Sequence, residues 1–139
     1  MLEYIVDASV VMKWLMPRGE RGVDKARQIY LLILQGKIKA TAPAFLIVET
    51  TNVLVKAKGV TKMGIKKLIE KLKTSGIDFL EMNTQTLQGL EDVMMQYGTT
   101  AYDSLYLLLV KQKGHKLITA DEELLKIKNL TIGLNNFVF

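Results

Sequence analysis

The chain has 139 residues, 49% apolar and 24% charged, and its 19 Lys and Arg against 14 Asp and Glu leave a net charge of +5. That is one domain's worth of ordinary globular sequence, with a basic bias that suits a polyanionic partner. There is no cysteine and His115 is the only histidine, which excludes disulfides, thiolate zinc sites, a cysteine nucleophile and an imidazole metal cluster within one chain.

In chain order, Tyr4 to Val6 predicts a short buried strand that ends at Asp7. Ala8 to Leu15 predicts a helix, stopped by Pro17 and Gly19. Val23 to Leu34 has apolar residues at helical spacing and ends at Gly36. Ile38 to Thr41 predicts a strand, and Pro43 suits the first turn of a helix running to about Lys58. Thr61 opens another helix that closes at Gly76, followed by strand-like Ile77 to Glu81. Thr84 to Tyr97 and Thr100 to Lys113 both read as helices. Lys116 to Thr119 is a strand, Asp121 to Ile127 a short helix, and Leu130 to Leu134 a last strand. Short strands alternating with helices imply an α/β fold, three layers with a mostly parallel central sheet, over a single domain 1–139. The first residues lack the charged start and long apolar core of a secretory leader. Runs such as Ser104 to Val110 fall far short of a membrane span, so a soluble, cytoplasmic protein without membrane contact is expected.

Four carboxylates sit in unusually apolar company: Asp7 after YIV, Glu49 after AFLIV, Asp103 within AYDSLYLLLV, and Asp121 after KLITA. A carboxylate partly buried without a partner is unfavourable unless it stays protonated, so these four call for a shared cation, separate basic partners or backbone caps. Each has a local alternative. Asp7 and Asp121 could cap the helices they precede. Asp103 falls in a first turn, where the macrodipole favours an acid, and Glu49 could point outward. Together they point further, because sites in α/β folds form beyond the carboxyl ends of the strands and two strand ends and two helices could converge there. Convergent carboxylates without histidine or cysteine favour Mg²⁺ or Mn²⁺, ions that activate water and bridge phosphate oxygens in phosphodiester cleavage. Ser9 and Thr119 carry hydroxyls beside two of the acids, and Asn52 shares a helical face with Glu49; local backbone capping is the alternative role for all three. The lysines at 56, 58, 62, 66 and 67 form a solvated face that could also guide phosphates.

VDASVVMKWL, APAFLIVETTNVLVK, TTAYDSLYLLLVKQKG and KLITADEELLK, in this order, resemble the motifs of the PIN-domain family, particularly its VapC toxins from type II toxin–antitoxin modules. The resemblance covers nearly the whole chain. It implies a ribonuclease with Mg²⁺ or Mn²⁺ held by Asp7, Glu49, Asp103 and Asp121, the closest ligands being Asp7 and Asp103. It also implies an RNA substrate, homodimerisation and inhibition by a small antitoxin. A PIN nuclease of RNA processing or quality control, without an antitoxin, stays open, as does a catalytically silent binding module. A receiver domain is disfavoured, because receivers carry adjacent acids after the first strand and Asp7 is followed by Ala8. A haloacid-dehalogenase-type phosphatase is disfavoured likewise, since Asp7-Ala8-Ser9 is not Asp-x-Asp.

Overall fold

The computed structural model describes residues 1–139. Its elements are β1 (Leu2–Val6), α1 (Ala8–Leu15), α2 (Val23–Leu34), β2 (Ile38–Pro43), α3 (Phe45–Lys56), α4 (Lys62–Lys73), β3 (Asp78–Leu80), α5 (Leu90–Tyr97), α6 (Ala101–Lys113), β4 (Leu117–Thr119), α7 (Glu122–Leu125) and β5 (Thr131–Gly133), closed by a 3₁₀ turn at Leu134–Asn136. The five strands form one sheet in the order β3-β2-β1-β4-β5, and every neighbouring pair is parallel. Parallel strands covered on both faces lose the polar alternation of half-exposed ones. Accordingly Ile5 and Val6 of β1 and Leu117 and Ile118 of β4 are fully buried, and they join helix residues such as Leu46, Leu72 and Leu107 in one core. Helix α6 crosses β1, β2 and β4 with α5 beside it. Helices α1 to α4 pack on one another, with α2 and α3 against β2 and α1 against β4, which makes three layers.

Strand order matters for function. Successive crossovers step outward from β1 through β2 to β3, and then the chain returns to the other side of β1 to lay down β4 and β5. The order therefore reverses between β1 and β4, and in open α/β sheets ligands bind outside the strand ends at that reversal. Receiver domains have the order 2-1-3-4-5, which this sheet does not share.

Four boundaries differ from the sequence expectation in ways that have a local cause. Pro43 ends β2 and pairs with Leu80 of β3; it does not open α3. The β1 ladder stops at Thr41, so the absent proline N–H leaves no β1 carbonyl unpaired, and proline also holds Ala42 extended. Helix α3 ends at Lys56, short of Lys58. Helix α5 begins at Leu90, because Gly89 takes a left-handed φ of 87° and the Asn83 carboxamide accepts from the amides of Gln85 and Thr86, fixing a turn over Thr84 to Gly89. The last strand stops at Gly133, where the 3₁₀ turn takes over. No helix is long and apolar enough to cross a membrane.

Gly22 caps α2 with φ 72°, and a Cβ there would lie 3.0 Å from Leu134 Cδ2. Gly22→Ala should lower stability by about 1–2 kcal/mol through the left-handed backbone alone. Urea denaturation that shows no loss would contradict this account of the α2 entry.

Candidate active site

Asp7 is the first residue after β1 and the N-cap of α1, so the end of the central strand delivers it to the reversal point. On the neighbouring strand, β1 pairs Val6 with Ile118, which brings Thr119 alongside Asp7. The carboxylate is 4% exposed and takes no cation. Its donors are neutral. Ser9 Oγ donates to Oδ1 at 2.5 Å, Thr119 Oγ1 donates to Oδ2 at 2.5 Å, and the Val10 amide reaches Oδ1 at 3.4 Å. Burial outweighs these bonds and lifts the Asp7 pKa from 3.8 to about 6, with a smaller push from Asp121.

Asp121 stands past the end of β4 as the N-cap of α7, accepting from the amides of Glu123 and Leu124 at 2.8 and 3.3 Å. Asp103 lies in the first turn of α6, whose N-cap Thr100 accepts from the Asp103 amide. Partial burial raises its pKa, and Asp121 raises it further. Glu49, in the middle of α3, is also raised, by burial first; the Tyr106 hydroxyl, which donates to Oε1 at 2.5 Å, works against this, and Asp103 adds to it. The local alternatives weighed for the aspartates are therefore real: two are caps and the third sits at a positive helix end. These roles coexist with convergence. Asp121 acts on both Asp7 and Asp103, and Asp103 acts on Glu49, so mutual repulsion links all four acids along one rim.

None of the three ion pairs in the chain, Lys13–Glu20, His115–Glu3 and Lys126–Glu123, involves these acids. An uncompensated, all-oxygen set of this kind has the chemistry that hard divalent cations need. No three of the acids stand close enough to form a ready-made cage, so ligation would draw side chains inward.

The hydroxyls of Ser9 and Thr119 both serve Asp7, and the Ser9 oxygen also accepts the Ala120 amide at 2.9 Å. Asn52 lines a groove of ≈ 500 Å³ with Glu49, Ala8, Phe45, Val48 and Tyr102. Phe45 and Tyr102 stack there at 5.2 Å, and Tyr102 is 60% exposed. Tyr106 escaped the sequence reading. It is buried, bonded to Glu49 and acted on by Asp7 and Asp103 as well, and burial with that negative surround drives its pKa far up. The available signal was its position three residues after Asp103, on the same helical face. The lysines at 56, 58, 62, 66 and 67 are all exposed.

Two outcomes follow for the metal-free protein. Asp7 binds protons more readily folded than unfolded, so its contribution to stability is full below pH 3.8 and is lost as pH rises through about 6. In EDTA, Asp7→Asn should be more stable than the parent near neutrality, by on the order of 2 kcal/mol, and the gap should close toward pH 4. Melting curves with no pH-dependent gap would contradict the burial argument. Tyr106→Phe should cost about 1–2 kcal/mol and move the Glu49 pKa further up, as read by NMR titration; an unmoved Glu49 would mean that the bond does not form.

The PIN domain family model matches residues 4–130. No curated protein sequence matches significantly. Among solved structures, the chain is similar to PAE2754 from Pyrobaculum aerophilum, at 23% identity over 96% of this chain and 90% of that one, with a TM-score of 0.68. It is similar to VapBC2 from Rickettsia felis, solved bound to a DNA fragment from their promoter, at 12% identity over 95% and 97% with a TM-score of 0.69. It is similar to FitAcB from Neisseria gonorrhoeae at 15% identity over 94% and 96% with a TM-score of 0.63. Likeness at these identities is likeness of fold. The family model, by contrast, runs from within β1 to the residue before β5 and takes in all four rim acids, and the chain belongs to the PIN-domain family.

Proposed function

We propose that the chain is a divalent-metal-dependent endoribonuclease and the toxin of a type II toxin–antitoxin pair. One observation carries the catalytic part: four carboxylates on one rim, with raised pKa values at three of them and no cation to compensate any. Family membership supports it, since PIN domains are generally nucleases. The toxin part is supported by neighbours that are toxin–antitoxin complexes, among them one from Klebsiella pneumoniae. Val48 and Val53 of α3, exposed in the groove with Tyr102, and the exposed Val55 of the same helix offer apolar surface of the kind that protein partners cover, here a second copy or a small antitoxin.

Asp7 and Asp103 would be the primary ligands of Mg²⁺ or Mn²⁺, with Glu49 and Asp121 holding its waters or a second ion. The bound ion supplies a water made nucleophilic near neutral pH and offsets charge on the phosphate. Ser9 and Thr119 fix the orientation of the Asp7 carboxylate through their hydroxyls. Tyr106 does the same for Glu49. Asn52 faces the groove beside Glu49 and can donate to a phosphate oxygen there.

Purified protein should cleave single-stranded RNA in Mg²⁺ or Mn²⁺ and stop in EDTA. Asp7→Asn and Asp103→Asn should each lower the rate by roughly 100-fold or more with an unchanged circular dichroism spectrum, since even outer partners of metal ligands matter 10–100-fold. Undiminished cleavage in EDTA, or in both variants, would refute the mechanism. Expression should arrest growth, and a small protein encoded beside it should relieve the arrest by binding; an active nuclease that no neighbouring protein restrains would instead be one of RNA processing.

A further inference from the structure

Only two charged residues in the chain are buried, Asp7 and Lys13, the latter 9% exposed. They belong to the same helix. Asp7 caps α1, and Lys13 stands four residues after Ser9, hence on its face. Ser9 is the residue whose hydroxyl joins Asp7 to the Ala120 amide. Lys13 and Ala120 line two adjoining grooves beside this junction, one with Ser9 and Arg18, the other with Arg21, Asn135 and Asn136. The acids along these grooves are Glu20 and Glu122.

Stability does not explain a lysine here. Taking an ammonium out of water is unfavourable, and its one partner, Glu20 at 2.8 Å with a side chain 39% exposed, offsets only part of that. An apolar chain of similar length would pack against the same surroundings without the penalty. What the ammonium adds is a positive charge in the grooves beside Ser9 and Ala120, where the acids of the rim would otherwise repel any phosphate. Arg18 and Lys71 are engaged elsewhere, Arg18 donating to the Lys58 carbonyl at 3.0 Å and Lys71 to the Trp14 carbonyl at 3.4 Å, and Lys56, Lys62, Lys66, Lys67 and Lys73 of α3 and α4 are exposed.

We propose that Lys13 binds a backbone phosphate of the RNA in the groove beside Asp7, with Glu20 holding the ammonium in position until the phosphate arrives. This rests on the ribonuclease reading above. A point charge serves such a contact, because a phosphate needs no bidentate partner to be held.

The test measures binding apart from cleavage. In an Asp7→Asn background, a fluorescent single-stranded RNA is titrated across a salt series, and anisotropy gives the affinity. Adding Lys13→Met should weaken binding roughly tenfold or more. It should also reduce the slope of log affinity against log salt by about 0.7, one single-strand phosphate contact. Lys13→Arg should keep most of the affinity, and Glu20→Gln, which leaves the amine, should keep it too. In the cleaving protein, Lys13→Met should raise KM more than it lowers kcat, with a melting temperature at or above the parent's. Lys13→Met that matches its parent in affinity and salt slope, while melting lower alongside Glu20→Gln, would overturn the proposal and leave the pair as a brace for the α1–α2 loop. A parent that binds no RNA at all would instead overturn the ribonuclease reading, and this inference with it.

Discussion

The site depends on carboxylates held together without countercharge. Asp7 is the extreme case: a buried acid whose donors are two hydroxyls and one distant amide. A lysine or arginine partner would keep it ionised and would also fill the space a metal ion needs. Neutral donors do something different. They orient both oxygens yet leave the charge unsatisfied, so the unliganded site takes a proton more readily than a solvated aspartate does, and at mildly acidic pH a cation must displace that proton to bind. The unfavourable crowding is tolerated because the surrounding sheet and helices are too well packed to relax it away.

That crowding is a product of topology. The crossover that returns the chain to the far side of β1 puts the ends of β1 and β4 side by side, and with them Asp7 and Asp121. Asp103 arrives from the start of α6, the helix that lies across β1, β2 and β4. Glu49 comes from α3, and Tyr106 of α6 reaches across to bind it, so one hydrogen bond ties the two helices at the rim. Three of the four acids sit at helix N-termini, where unpaired amides supply the partial positive charge that lets carboxylates gather at all.

Around this negative centre the chain is basic overall, and the contrast has a physical use. A polyanion is drawn by the broad positive field and then needs local charge to settle against the acids. Diffuse surface lysines can supply the first. The second requires a cation whose position is set by packing, and Lys13 is the one in the chain that is buried. The groove with the Phe45–Tyr102 stack, which shares Ala8 and Val53 with the Lys13 groove, is largely apolar.

Sequence by itself determined the elements and the candidate acids. Alternation of short apolar runs with helical periodicity predicts the three-layer sheet, and α1 and α2 have the bounds their periodicity and stop signals predict. The acids stood out because each interrupts an apolar stretch, a signal that survives without coordinates. Only the tertiary structure decided the rest. Pro43 reads as a helix start until β3 is seen to take it as a strand partner. A turn through Gly89 shortens the helix expected over Thr84 to Tyr97 to Leu90–Tyr97. Tyr106 and Lys13 look like ordinary helix residues along the chain. Their meaning comes from partners at Glu49 and at the Asp7 junction, and chain connectivity does not encode which strand ends a crossover will bring together.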